Sequence, residues 1–354
     1  MTILLYHRAS ASFAAARHLA ALPADHRAHR RHGHQFRAIV CAQQWHQSAI
    51  GAETLSQQLV DTLAALDYQD LNQHFTNPSD DTLGHWLGQR LALPGEVNIG
   101  LHSTATQGVE LNSTQRLLWR HFHFEAAHRL PNVAADHPCG RMHGHGFAVT
   151  LTVPLAAAAP GAGYDALDQV WAPLHQRLHL HCLNDLPGLD NPTSEHLAHW
   201  LWQQLRPQLP ELVHVRVHET ASAGCQYDGI DYRIWKEQRF ESALCLAHAP
   251  AGDPRRRLHG HSYRLRLHLC APLDAVLGWT LDYGDVKTLF HPIYQQLDHQ
   301  RLDQRLESPD LGRLATWIYT QTIDSLPQLE RLDLHQTADC GVSLCAGRRL
   351  TDTA

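Results

Sequence analysis

Apolar positions along the chain change period in a regular order. From Leu117 to His128 and from His143 to Leu155, apolar, aromatic and β-branched residues alternate partially with polar ones, which predicts a pair of strands. Helical spacing follows over Tyr164 to Leu178 and again over Thr193 to Arg206. In the second helix Leu197, Leu201 and Leu205 recur behind a Pro-Thr-Ser start, and Pro207 ends the run. Leu212 to Thr220 and Gln226 to Trp235 return to strand character. The block reads ββααββ, an α+β unit whose helices cover one face of a four-stranded antiparallel sheet.

The block recurs. His-Gly-His occurs at His32–His34, His143–His145 and His259–His261, each preceded at 19 residues by Phe13, Phe124 and Phe240. A second landmark follows as Leu66 to Asn72, Leu178 to Asn184 and Leu297 to Asp303. A third is a helix leading to Trp86, Trp200 and Trp317, and a fourth is His-x-Thr at His102, His218 and His335. Four landmarks in one order, three times, divide 354 residues into units of 118 (354/3). We place the repeats at 1–114, 115–233 and 234–354. A lone four-stranded sheet leaves two open edges, and joining three edge to edge closes a pseudo-trimeric, twelve-stranded antiparallel barrel with helices outside.

Composition narrows the function. A hydrophobic content of 44% supports a sizeable core, and a net charge of -6 supplies no basic field for nucleic acid. The N-terminus lacks a signal-peptide pattern and no window nears 18 uninterrupted apolar residues, so the chain reads as soluble and cytoplasmic, with no membrane partner. Eight dispersed cysteines fit buried thiols better than a disulfide framework. The outlying number is 30 histidines, far more than one metal site uses.

In the second repeat, Phe124-Glu-Ala-Ala-His128 is followed by Cys139-Gly-Arg-Met-His143-Gly-His145. On a strand, His143 and His145 share a face, and His128 on the neighbouring strand completes a three-imidazole Zn2+ site with a fourth position open, as catalytic zinc requires. The alternative is a turn with surface histidines. The combined motif resembles the 6-carboxytetrahydropterin synthase branch of the 6-pyruvoyltetrahydropterin synthase family, over essentially the whole chain as three units.

That resemblance implies the tunnelling fold and a zinc-dependent lyase acting on 7,8-dihydroneopterin triphosphate. The implied products are 6-carboxy-5,6,7,8-tetrahydropterin, acetaldehyde and triphosphate, a step of queuosine (7-deazaguanine) biosynthesis. Alternatives are a pyruvoyl-type lyase and a non-catalytic zinc- or pterin-binding homologue. The resemblance also implies that Glu219 anchors the pterin, that Glu195 sits near it, and that Cys139 moves protons on the substrate with its acidity tuned by a nearby histidine. Bland readings remain for both acids: a strand-end charge for Glu219, a helix first-turn acid for Glu195.

The family pairs its cysteine with an Asp-His dyad from an adjacent subunit. Repeat 2 has His179-Leu180 there, whereas repeat 3 keeps Asp298-His299. Repeat 3 in turn has Leu244, Arg255, Gly312 and Gln336 at the ligand, cysteine and two glutamate positions, and repeat 1 has Arg17, Ala28, Asp81 and Ser103. The expectation is one site per chain between repeats 2 and 3, holding one zinc, with catalytic Cys139, Asp298 and His299. Arg255-Arg256-Arg257 reads as solvated charge or as a triphosphate contact. Two fused barrels stacked face to face would form a homodimer.

Overall fold

The computed structural model describes residues 2–44, 51–155 and 162–353. Each repeat supplies four long strands and two helices. Repeat 1 contains β1 (Ile3–Arg17), β2 (His32–Gln43), α1 (Ala52–Leu63), α2 (Asp80–Leu91), β3 (Val97–Thr104) and β4 (Gln107–Leu111). Repeat 2 contains β5 (Arg116–His128), β6 (His143–Pro154), α3 (Ala162–Leu178), α4 (Ser194–Leu205), β7 (His214–Thr220) and β8 (Ala223–Tyr227). Repeat 3 contains β9 (Tyr232–Leu244), β10 (His259–Cys270), α5 (Tyr283–Leu297), α6 (Leu311–Thr322), β11 (Leu329–His335) and β12 (Cys340–Ala346).

Every long strand pairs antiparallel with the next in sequence, and β12 pairs with β1 from Ile3↔Ala346 to Ala9↔Cys340. Together with β4–β5 and β8–β9 at the other two repeat boundaries, this closes the twelve-stranded barrel expected from the open edges. The run expected as one strand over Gln226–Trp235 is two. Asp228 Oδ1 accepts from the N–H groups of Ile230 and Asp231, Gly229 takes φ 93°, and the tight turn sends the chain from β8 into β9. The third sheet therefore starts at Tyr232, ahead of the boundary placed at 234.

Alternation along the strands sorts side chains into two environments. The outer face is apolar and lies under the helices. The repeated phenylalanine stacks on the ring directly across the hairpin in all three units, Phe13 on Phe36 at 4.9 Å, Phe124 on Phe147 at 5.1 Å and Phe240 on Tyr263 at 4.9 Å. Such pairs contribute about 0.5–1.5 kcal/mol beyond their buried area.

The inner face is polar, and it absorbs much of the histidine excess. His102, His121, His214, His218, His268 and His335 all face the lumen, where burial lowers each to about 3 or 4, so they stand neutral. The His-x-Thr landmark belongs to this lining. His102 and His218 pack edge-on against Trp119 and Trp235, and the glycine opposite each, Gly108 or Gly224, leaves room for the indole. A Cβ at Gly224 would lie 2.2 Å from the Val217 carbonyl oxygen.

Residues 348–353 run into the lumen. Asp352 bridges Arg216 (2.9 Å) and Arg331 (2.6 Å), Arg8 donates to the Thr353 carbonyl, and Thr353 Oγ1 donates to Glu110. This closure by the chain's own end had no periodic signal in the sequence. Burial pushes the Glu110 carboxyl from 4.5 up to about 7. The folded chain thus keeps a proton that the unfolded chain releases, and the stability this provides is full below pH 4.5 and lost as pH rises towards 7. Wild type should accordingly lose on the order of 3 kcal/mol relative to Glu110→Gln between pH 4.5 and 7.5, read from denaturant melts at each pH.

Candidate active site

The edges of the His-Gly-His hairpins meet the neighbouring repeat, so a site built there has that repeat as one of its walls. In repeat 2, the register His128↔His143 sets the two rings side by side, and His145 follows on the same face of β6. His128 Nδ1–H donates to the Pro192 carbonyl at 3.0 Å, and His143 Nδ1–H to the Arg141 carbonyl at 2.8 Å. Those bonds fix the tautomer that leaves each Nε2 lone pair free. The buried Nε2 atoms of His128 and His145 have no hydrogen-bond partner.

Glu219, at the end of β7, completes the cluster. Its Oε1 lies 3.5 Å from His145 Nε2 and 4.0 Å from His128 Nε2, and one ligand atom from each of the four residues falls within 4.8 Å of the others. Burial holds His128 at about 4, so it stays neutral, as metal ligation needs. Burial and then the Glu195 charge raise the Glu219 carboxyl to about 7. Orphaned lone pairs converging on a carboxylate suit a divalent cation of the zinc class. Among the described residues this is the one group of its kind.

Cys139 sits in a short turn above the cluster. Its N–H donates to His137 Nδ1, and His137 Nε2 reaches Asp282 at the start of α5 at 3.2 Å. The thiol differs from the histidine-tuned thiolate expected of it: burial, Glu219 and Asp282 all push it up. His137 was not singled out in the sequence, although it precedes His-Gly-His by six residues, as His26 and Asp253 do. In repeat 1, His26 reaches Asp165 of α3, and at the third boundary Arg255 reaches Glu53 of α1. The contact therefore locks neighbouring repeats whether or not a cysteine is present; Arg255 takes part in it with 39% of its side chain still exposed, and Arg256 and Arg257 are exposed.

Glu195 is 2% exposed and its oxygens are taken. Oε1 accepts from the Thr280 N–H and hydroxyl, Oε2 from Ser194. It ties α4 to the loop ahead of α5, so its charge reaches Glu219 from behind.

Asp298 and His299 lie at the other end of α5 from Asp282, about 24 Å of helix away. Within one chain they are not brought to Cys139. Asp298 accepts from the Glu241 N–H and pairs with His299 Nδ1 at 2.9 Å, and His299, at φ 55°, points its ring into solvent with 79% of the side chain exposed. Asp67 and His179 accept from Ala14 and Glu125 N–H groups in the same way, followed by Tyr68 and Leu180 at positive φ. The aspartate thus has a strand-tethering role in this turn in addition to any chemistry.

The outer repeats lack the cluster for visible reasons. Arg17, opposite His32 as His128 is opposite His143, is buried and paired with Asp80 at 2.7 Å, with Ser103 and Tyr164 also donating to Asp80. An internal ion pair fills the place of the metal group, beside a cavity of about 470 Å³. In repeat 3 the position is the buried apolar Leu244. Dialysis against zinc should leave about one metal per chain by elemental analysis, lost in His128→Ala and retained in His34→Ala and His261→Ala.

The pattern of the family described as 6-pyruvoyl tetrahydropterin synthase matches twice in tandem, at residues 117–230 and 233–346. A 6-carboxy-5,6,7,8-tetrahydropterin synthase of Synechocystis sp. is 33% identical over 120 residues, covering 31% of this chain and 92% of that protein. A dihydroneopterin monophosphate aldolase of Pyrococcus furiosus is 26% identical over 108 residues, covering 30% and 93%. The 6-pyruvoyl tetrahydropterin synthase structure from Caenorhabditis elegans aligns with 16% identity and a TM-score of 0.29, over 31% of this chain and 92% of that one. With two matched segments spanning well over half its length, this chain belongs to the 6-pyruvoyl tetrahydropterin synthase family.

Proposed function

We propose that the chain is a zinc-dependent 6-carboxytetrahydropterin synthase. It would convert 7,8-dihydroneopterin triphosphate and water to 6-carboxy-5,6,7,8-tetrahydropterin, acetaldehyde and triphosphate. The observation that carries this reading is the convergence of two orphaned imidazole nitrogens, a third imidazole and a carboxyl of raised pKa beside Cys139. His128, His143 and His145 hold the cation. When bound, it would acidify the substrate's side-chain hydroxyls and stabilise a carbonyl formed from them.

Glu219 anchors the pterin through the ring's adjacent N–H groups, a pairing that a carboxylate makes bidentately. Glu195 serves the substrate by positioning: it fixes the Thr280 loop against α4 and keeps a negative charge behind Glu219. Cys139 moves protons at the side-chain carbons; its raised pKa keeps it as the thiol in the free protein, so it starts as a proton donor, and a cation bound in the cluster would lower it by offsetting the Glu219 charge. The exposed His299, paired with Asp298, reaches the cysteine of a second copy of the chain in a face-to-face homodimer, since α5 holds it away from Cys139 of its own chain.

Incubation of the zinc-loaded protein with dihydroneopterin triphosphate, followed by mass analysis, should show the carboxy product. A pyruvoyl product, or none, sinks the assignment. Cys139→Ala should lower kcat by about 100-fold or more. His299→Ala should do so with zinc content unchanged, and mixing it with Cys139→Ala protein should restore partial activity if the dyad acts between chains.

A further inference from the structure

The repeat boundaries differ in charge at a place the catalytic residues do not use. Lysine occurs in this chain only as Lys236 and Lys287, against a combined Lys and Arg count of 29, and both lie at the boundary between repeats 2 and 3. Lys236 stands on β9 opposite Ala223 of β8, its Nζ 5.7 Å from the centre of the Tyr283 ring. The same sheet position at the boundary between repeats 1 and 2 is Arg120, opposite Gln107. At the third boundary it is Ala9, opposite Cys340.

Lys287 has an equivalent too. It follows Tyr283 by four residues, as Asp168 follows Tyr164, and the two tyrosines match: each hydroxyl bonds the first residue of a helix, Ser194 of α4 or Asp80 of α2. At the first boundary Arg120 and Asp168 form a bidentate ion pair at 2.7 and 3.1 Å, with no net charge. At the second boundary both partners are ammonium groups. The exchange adds two positive charges beside the metal cluster, and among the described residues neither lysine makes an ion pair.

Burial and the neighbouring Lys287 hold the Lys236 ammonium below its ordinary value, against the attraction of Glu219 and Asp282. Asp282 is already committed to His137 and to the N–H groups of Gly284 and Asp285. Two like charges placed together where a neutral pair would fit cost stability unless a counter-charge joins them. Flexible, compact ammonium groups suit the many oxygens of an extended polyanion.

Building on the pterin reading above, we infer that Lys236 and Lys287 form the subsite for the substrate's polyphosphate tail. They would make this boundary select a triphosphorylated pterin over its unphosphorylated or monophosphorylated form.

The test uses full-length, zinc-loaded Cys139→Ala protein, which stops turnover, and pterin fluorescence to titrate dihydroneopterin triphosphate, monophosphate and unphosphorylated dihydroneopterin. The triphosphate should bind about tenfold tighter than the unphosphorylated form, and added salt should narrow the gap. K236R/K287D, which rebuilds the ion pair found at the first boundary, should abolish the preference while shifting the unphosphorylated Kd less than about twofold; K236R/K287R should keep it. Equal binding of the three pterins, or an equal loss for all of them in K236R/K287D, overturns the subsite and leaves the pterin reading standing. Failure of every pterin to bind overturns both.

Discussion

Sheet edges must be paired, and most of this structure follows from that constraint. An isolated repeat would expose the N–H and C=O groups of two edge strands. Here β4 meets β5, β8 meets β9, and β12 returns to β1, so no edge of the twelve-stranded path is left open. Closure also decides where chemistry can occur. The hairpin ends carrying the imidazoles stand next to the following repeat, and the polar contacts His137–Asp282 and Glu195–Thr280 near Cys139 join repeats 2 and 3.

The three boundaries solve one packing problem with different chemistry. A side chain shortly before His-Gly-His reaches an acid at the next repeat's first helix in each case: His26 to Asp165 and His137 to Asp282 from six residues ahead, and Arg255, held by Asp253, to Glu53 from four. Beneath this common lock lie an Arg17–Asp80 ion pair, a cluster of three histidines and a glutamate able to hold a metal, and an apolar plug around Leu244. A buried ion pair broken on one side costs about 3–5 kcal/mol, so neither Arg17 nor Asp80 can be replaced alone without a large loss of stability.

Features that repeat were legible in the sequence, and features that arise from meeting were not. The unit ββααββ, the barrel and the cluster of His128, His143 and His145 all rest on periodicity or on short spacing, and both survive translation into strands. The turn at Asp228–Asp231 was read as strand because its flanks are rich in aromatic and β-branched residues, which mask the Asp-Gly signal. The approach of Glu219 to the imidazoles depends on β7 lying beside β6, a long-range pairing with no local trace. The separation of Asp298-His299 from Cys139 is a matter of helix length: a dyad can align perfectly in sequence and still stand at the wrong end of α5 for its own chain. The histidine count exceeds what one metal site uses, and six of the 30 line the lumen as neutral rings, a use the sequence did not reveal.

Covalent fusion of the repeats has a consequence for how such a protein changes over generations. In a ring of identical subunits any substitution appears at all three junctions at once, so a junction cannot lose its metal without the whole assembly losing catalysis. A single polypeptide with three separately encoded junctions escapes that restriction. Arg17, His128 and Leu244 hold equivalent places at the three junctions, so each junction carries its own residue and can vary without the other two following.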